Sequence, residues 1–98
     1  MAAETAQRLD AWLWCARLRR TRADCAALVA TGAVRINRQP TDKPHARVRP
    51  GDVLTIAQGS GEHGRIAVWR VLALAERRGP PAEARRLYEE LPDGMAGD

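Results

Sequence analysis

Residues Arg8 to Asp24 read RLDAWLWCARLRRTRAD, and the fold is decided within them. Leu9, Trp12, Leu13 and Ala16 recur at i, i+3, i+4 and i+7, the apolar stripe of an amphipathic helix, which predicts a helix from Leu9 to about Arg19. Trp14 and Leu18 lie off that stripe, four residues apart, so the helix has a second apolar face. Such a helix needs two neighbours, or one neighbour and a ligand. Thr21-Arg22-Ala23-Asp24 is an acidic variant of the capping box: Thr21 caps a second helix and Asp24 reaches back to it. Cys25, Leu28 and Val29 share one face of that helix, and Gly32 ends it. Two short helices meeting at Arg19-Arg20-Thr21 form a helical corner.

Downstream the apolar period falls from 3.6 to 2. Val34 and Ile36 face one way, Arg35 and Asn37 the other, which marks a strand. Asn37 to Pro40 reads as a turn, followed by an irregular stretch to Pro44. His45, Arg47 and Arg49 share a face opposite Ala46 and Val48. Pro50-Gly51-Asp52 is a reverse turn with Gly supplying positive φ. Val53 to Ile56 is a strand, Gly59 to Gly64 a glycine-rich loop, and Arg65 to Leu74 the longest β-like run. Arg78-Gly79-Pro80-Pro81 breaks that run and opens a final helix, with Ala84, Leu87, Tyr88 and Leu91 as its stripe. That stripe is the expected cover for Trp14 and Leu18; the competing role for Trp14 is a base-stacking platform. The organisation expected is a flexible segment 1–7, a domain over 8–78, a helix packed on it over 79–91, and a flexible tail over 92–98.

Charge is distributed unevenly along the 98 residues. Sixteen Lys plus Arg oppose twelve Asp plus Glu, a formal net charge of +4, and every basic residue but Lys43 is Arg. Arg8 to Arg49 holds ten basic and three acidic residues, whereas Gly79 to Asp98 holds two and five. The front half is therefore where a polyanion docks. Within it Arg17, Arg19, Arg20 and Arg22 crowd the start of the second helix, where the dipole favours anions. Arg22 in the first turn costs a few tenths of a kcal/mol unless an external anion offsets it. This pattern predicts a phosphate site made of backbone N–H groups near Ala23 and the forks of Arg19, Arg20 and Arg22. Arg35, Arg38, Lys43, Arg47 and Arg49 are expected to add to it.

Arg8-Leu9-Asp10, Trp12-Leu13-Trp14, Arg17 and Thr21-Arg22 resemble the opening of an S4-type RNA-binding domain, the alpha-L motif. Gly32 to Asn37, Lys43-Pro44 and Pro50 to Thr55 continue the likeness in order and spacing. Arg77 to Ala84 and Leu87 to Glu90 extend it to the bacterial heat shock protein 15 family. The resemblance implies an α+β fold: two N-terminal helices packed on a small bent antiparallel sheet, with a C-terminal helix added. It also implies binding to ribosomal RNA on large ribosomal subunits stalled with peptidyl-tRNA, aiding their recycling, by a cytoplasmic monomer. Carried over by position, the RNA-facing residues are Arg8, Arg17, Arg19, Arg20, Arg22, Arg35, Asn37 and Lys43. Arg38 and Arg47 join them through their charge. Asp10 is expected to orient Arg8 or a neighbouring arginine, and Trp12 and Leu13 to be core. Two departures stand out: an acidic end in place of the family's basic extension, and Asn37-Arg38 where the family commonly has Asn-Gly. Arg at a turn position of positive φ costs about 1 kcal/mol unless it touches phosphate.

Other chemistry finds little support. Cys15, Cys25, His45 and His63 lack zinc-finger spacing, and the two cysteines read as reduced packing residues. The loop from Gly59 has no Gly-Lys-Ser or Gly-Lys-Thr, and Asp10, Asp24 and Asp52 each have a structural role, so no enzyme activity, metal or cofactor is expected. No apolar run reaches the roughly 18 residues of a membrane helix, and Met1 to Gln7 does not read as a signal peptide. DNA binding, a protein-interaction adaptor and an accessory subunit of an RNA-modifying enzyme remain the alternatives.

Overall fold

The computed structural model describes residues 5–58 and 64–92; the expected loop from Gly59 and the outermost parts of both ends lie largely outside them. Chain order is β1 (Gln7–Arg8), α1 (Leu9–Cys15), α2 (Arg22–Ala30), β2 (Val34–Ile36), β3 (Gln39–Thr41), β4 (Arg47–Val48), β5 (Val53–Gln58), β6 (Arg65–Val71), α3 (Pro81–Ala84) and β7 (Tyr88–Leu91). β1 pairs with β4, and the main antiparallel sheet runs β3-β2-β5-β6-β7. The α+β class is as expected.

The predicted stripe forms the core. Leu9, Trp12 and Leu13 are fully buried, against Val29 and Cys25 of α2 and Val34, Leu54, Ile56, Trp69 and Val71 of the sheet. Trp12 lies edge-on to Trp69 and Tyr88, which stack on each other at 3.9 Å, and its Nε1 donates to the Ala73 carbonyl at 2.9 Å. Thr21 Oγ1 accepts from Asp24 N at 3.0 Å, the predicted cap of α2, and Gly32 follows that helix at φ 84°.

Three expectations are corrected. Helix α1 stops at Cys15, not Arg19. Arg17 N–H donates to the Trp14 carbonyl and Leu18 N–H to the Leu13 carbonyl, closing a Schellman motif with Arg17 in the left-handed region at φ 66°. Gly ordinarily holds that place, so nothing in the sequence marked it. The final helix shrinks to Pro81–Ala84, and Tyr88–Leu91 is a strand on β6, pairing Val71 with Tyr88 and Val68 with Leu91. The turn expected over Asn37 to Pro40 is confined to Asn37 and Arg38, and Gln39–Thr41, expected as turn and irregular chain, is an edge strand where Pro40 is tolerated because it borders only β2. Trp14 and Leu18 pack half-buried on the core, but the group over the Trp14 ring is the Arg78 guanidinium, 5.8 Å from its centroid.

Asn37 and Arg38, at φ 50° and 74°, are the two central residues of a tight β2–β3 turn, a geometry that selects Asn and Gly. Arg38 bears the strain, so Arg38→Gly is expected to stabilise the fold by about 1 kcal/mol, raising the thermal midpoint by roughly 4–8 °C. An unchanged or lower midpoint in scanning calorimetry would show that the Arg38 side chain makes up the difference.

Cys15 and Cys25 are buried free thiols, and burial pushes both above the ordinary thiol value of 9.0. The unfolded chain therefore loses these protons first. The stabilisation is complete below about pH 9 and is lost as pH rises through the folded-state values. Tyr88, raised by burial from 10.0, adds a loss of the same sign at higher pH. Thermal midpoints measured from pH 8 to 10 should fall more steeply for the parent chain than for Cys25→Ala; parallel curves would remove the thiol from the account.

Candidate nucleic-acid interface

The basic residues are set out around helix α1, and its first turn organises the strongest group. Arg8, a poor N-cap, makes no side-chain cap; the free N–H groups of α1 are met by another segment, Leu9 N donating to the Ala46 carbonyl at 2.7 Å and Asp10 N to the Pro44 carbonyl at 3.1 Å. That docking brings Lys43 to Arg47 alongside the helix start. Asp10 is the one buried charged residue among those described, 4% exposed. Its carboxylate takes Arg8 in a fork, Nε and Nη2 each at 3.1 Å, and Arg22 Nε at 3.4 Å, while accepting from Ala11 N at 2.8 Å. Two guanidinium groups from β1 and α2 thus meet at one oxygen, each with nearly half its surface open to solvent. Arg47 stands directly opposite Arg8 in the β1–β4 ladder, exposed and without a carboxylate partner among the described residues. Like charges facing each other across a ladder destabilise it, and an anion between them reverses the sign.

The remaining candidates occupy two further groups. Beyond the end of α1, Arg17 Nε donates to the Gly79 carbonyl at 2.9 Å, and Arg19 Nη1 donates to Gln58 Oε1 at 3.0 Å and to its neighbour Leu18's carbonyl. These two arginines fasten the helical corner to the rest of the chain. Arg20 is exposed, and its carbonyl accepts Trp14 Nε1 at 3.3 Å. On the β2–β3 hairpin, Arg35 is exposed beside buried Val34, hence on the sheet face away from the helices. The Asn37 amide is engaged at both ends, donating to Asp52 and accepting from Val53 N, which ties the hairpin tip to the Pro50–Asp52 turn. Lys43 is two-thirds exposed, 3.7 Å from Asp42. The ten candidates do not converge on one concavity: Arg8, Arg22 and Arg47 gather at the start of α1, and the others lie apart. The predicted forks of Arg19 and Arg22 are held by different partners.

Sequence reasoning missed Arg78, whose Nε donates to the Trp14 carbonyl at 3.2 Å and whose plane covers the Trp14 ring. Its only local signal was its place just before Gly79-Pro80. The described residues contain no group of three or more His, Cys, Asp or Glu able to hold a metal, and no helix among them is long and apolar enough to cross a membrane.

Two helices packed on an antiparallel sheet, with Arg8 and Arg22 meeting at the start of α1, are the layout of an S4 domain, and residues 7–54 match the S4 domain family model. The solved trimeric structure of heat shock protein 15 from Vibrio cholerae superposes with a TM-score of 0.79 at 32% identity, covering 94% of this chain and 88% of that one. The chain belongs to the heat shock protein 15 family. Heat shock protein 15 of Escherichia coli K12 is 40% identical over 88 residues, 90% of this chain but 62% of the relative, so the chain spans under two-thirds of the length of that curated relative. The small ribosomal subunit protein uS4 of Cupriavidus taiwanensis is 34% identical over 87 residues, 80% of this chain and 41% of its own length.

Proposed function

We propose that the chain binds structured RNA through arginine–phosphate contacts, and that its target is ribosomal RNA on large subunits stalled with peptidyl-tRNA, whose recycling it aids. The observation that carries the binding reading is the convergence of Arg8 and Arg22 on buried Asp10, with Arg47 opposite Arg8. A carboxylate that fixes two half-exposed forks leaves their outer edges aimed and ready for phosphate oxygens. Membership of the heat shock protein 15 family, and the likeness to a protein named for the small ribosomal subunit, support a ribosomal setting. The role is binding rather than catalysis, in the cytoplasm, with one copy of the chain as the binding unit. Arg20, Arg35, Arg38 and Lys43 extend the contact beyond the central group, while Arg17, Arg19 and Asn37 hold the backbone that presents it.

Contact with five or six phosphates gives a slope of log K against log salt of about −3.5 to −5. Filter binding of duplex RNA, duplex DNA and purified subunits across a salt series checks this, and gradient sedimentation with and without stalled translation checks the subunit assignment. Salt-independent affinity, or a preference for duplex DNA over every RNA, would overturn the reading. Co-sedimentation with small subunits alone would move the target.

A further inference from the structure

We propose that the groove beside the arginine group takes up one unstacked nucleotide of the bound RNA, base inward and phosphate at its rim; this rests on the RNA-binding reading above and names the ligand of one part of the site. The groove measures about 480 Å³, within the roughly 300–1,000 Å³ of small-ligand sites, and is lined by Gln7, Arg8, Ala11, Arg47, Leu74 and Ala75, with Glu76 its acid. Most of that lining is apolar. It is also preformed. The Gln7 side chain donates to the Ala75 carbonyl at 2.7 Å and accepts from Ala75 N at 3.2 Å, and Trp12 holds the neighbouring Ala73 carbonyl.

Three features select a nucleotide over another ligand. The apolar floor of Ala11, Leu74 and Ala75 suits the face of a base, which gains from leaving water. Arg8 and Arg47, opposed across the β1–β4 ladder, offer two cations for one phosphate and guanidinium planes on which a base stacks. Glu76 repels a bare phosphate but accepts a hydrogen bond from an amino or imino group of a base, so the ligand enters with its base toward Glu76 and its phosphate toward the arginines. Arg8 belongs both to this rim and to the Asp10 clamp, which places the groove in line with the helix-borne phosphate contacts. RNA supplies such a nucleotide at bulges and loops, and a fully paired duplex does not.

The test uses two loop-free RNA duplexes matched in number of phosphates, one carrying a single bulged 2-aminopurine and the other fully paired, at one salt concentration. The parent chain is expected to bind the bulged RNA about tenfold more tightly, the order of one base–protein stacking contact, with a change in 2-aminopurine emission on binding. Ala11→Leu, which fills the groove with a good helix former and removes no charge, should erase that preference and leave affinity for the paired duplex unchanged. Equal affinity of the parent chain for the two RNAs, a silent 2-aminopurine, or a preference retained in Ala11→Leu would overturn the groove assignment while RNA binding stands. Failure of both duplexes to bind would overturn the RNA reading itself.

Discussion

Trp12→Ala is expected to destabilise the fold by about 3–5 kcal/mol, a large share of the roughly 5–15 kcal/mol that separates native from unfolded chains of this kind. The side chain is fully buried where α1, the sheet and β7 meet, in edge contact with Trp69 and Tyr88, and its Nε1 is the hydrogen-bond partner of the Ala73 carbonyl. Truncation leaves a cavity beside two stacked rings and an acceptor with its bond removed. Chemical denaturation should show the midpoint fall with little change in m-value, or no folded baseline at all. Trp12→Phe narrows the loss, since it keeps one ring in the cluster while giving up the N–H and part of the indole volume, at a cost of about 1–3 kcal/mol. Trp69→Phe is the control: the Trp69 Nε1 is buried without a partner among the described residues, so its removal forfeits no hydrogen bond. A Trp12→Ala chain as stable as its parent would mean that the aromatic cluster does not hold the layers together.

What could be read from the sequence, and what could not, follows the range of the interactions. The stripe of Leu9, Trp12 and Leu13, the Thr21 cap and the alternation of Val34 and Ile36 are local patterns, and each appears where its period places it. Tyr88–Leu91 fits a helical period equally well when taken with Ala84 and Leu87. It becomes a strand because β6 presents an unpaired edge and Trp69 a face for Tyr88, neither of which is visible in the residues themselves. The end of α1 was hidden for a different reason: a left-handed arginine at position 17 carries no glycine signal, and the Gly79 carbonyl that receives its side chain lies far along the chain. For the site, charge density singled out the half of the chain that carries the Asp10 group but could not separate the arginines gathered on Asp10 from those that fasten the fold. Arg19 and Arg22 look alike in sequence, yet one is bound to Gln58 and the other to Asp10. Asp10 was legible as an orienting group through the resemblance of the Arg8-Leu9-Asp10 opening; that it serves two arginines was not.

That distinction sets the terms of the second large effect, in RNA binding rather than stability. Replacing Arg8 and Arg22 together by Gln is expected to weaken RNA binding ten- to a hundredfold near physiological salt, and to flatten the salt slope by about 1.5, the share of two phosphate contacts. Asp10→Ala should behave differently. Both guanidinium groups remain, so the number of counterions released is unchanged and the slope stays within about 0.3 of the parent, while the affinity falls because neither fork is held in place. The loss of Asp10 also frees Ala11 N and removes a buried partner of two cations, so a stability cost of about 1–3 kcal/mol accompanies it, and binding is measured well below the lowered thermal midpoint. Arg17→Gln and Arg19→Gln, which cut contacts to Gly79 and Gln58, are expected to lower the midpoint more than the affinity. The reverse order, with Arg19 dominating affinity and Arg8 with Arg22 affecting only the midpoint, would shift the interface from the start of α1 to its far end. The slope is the deciding measurement, because misplacing a charge and deleting it both weaken binding, whereas only deletion changes how many ions the RNA gives up.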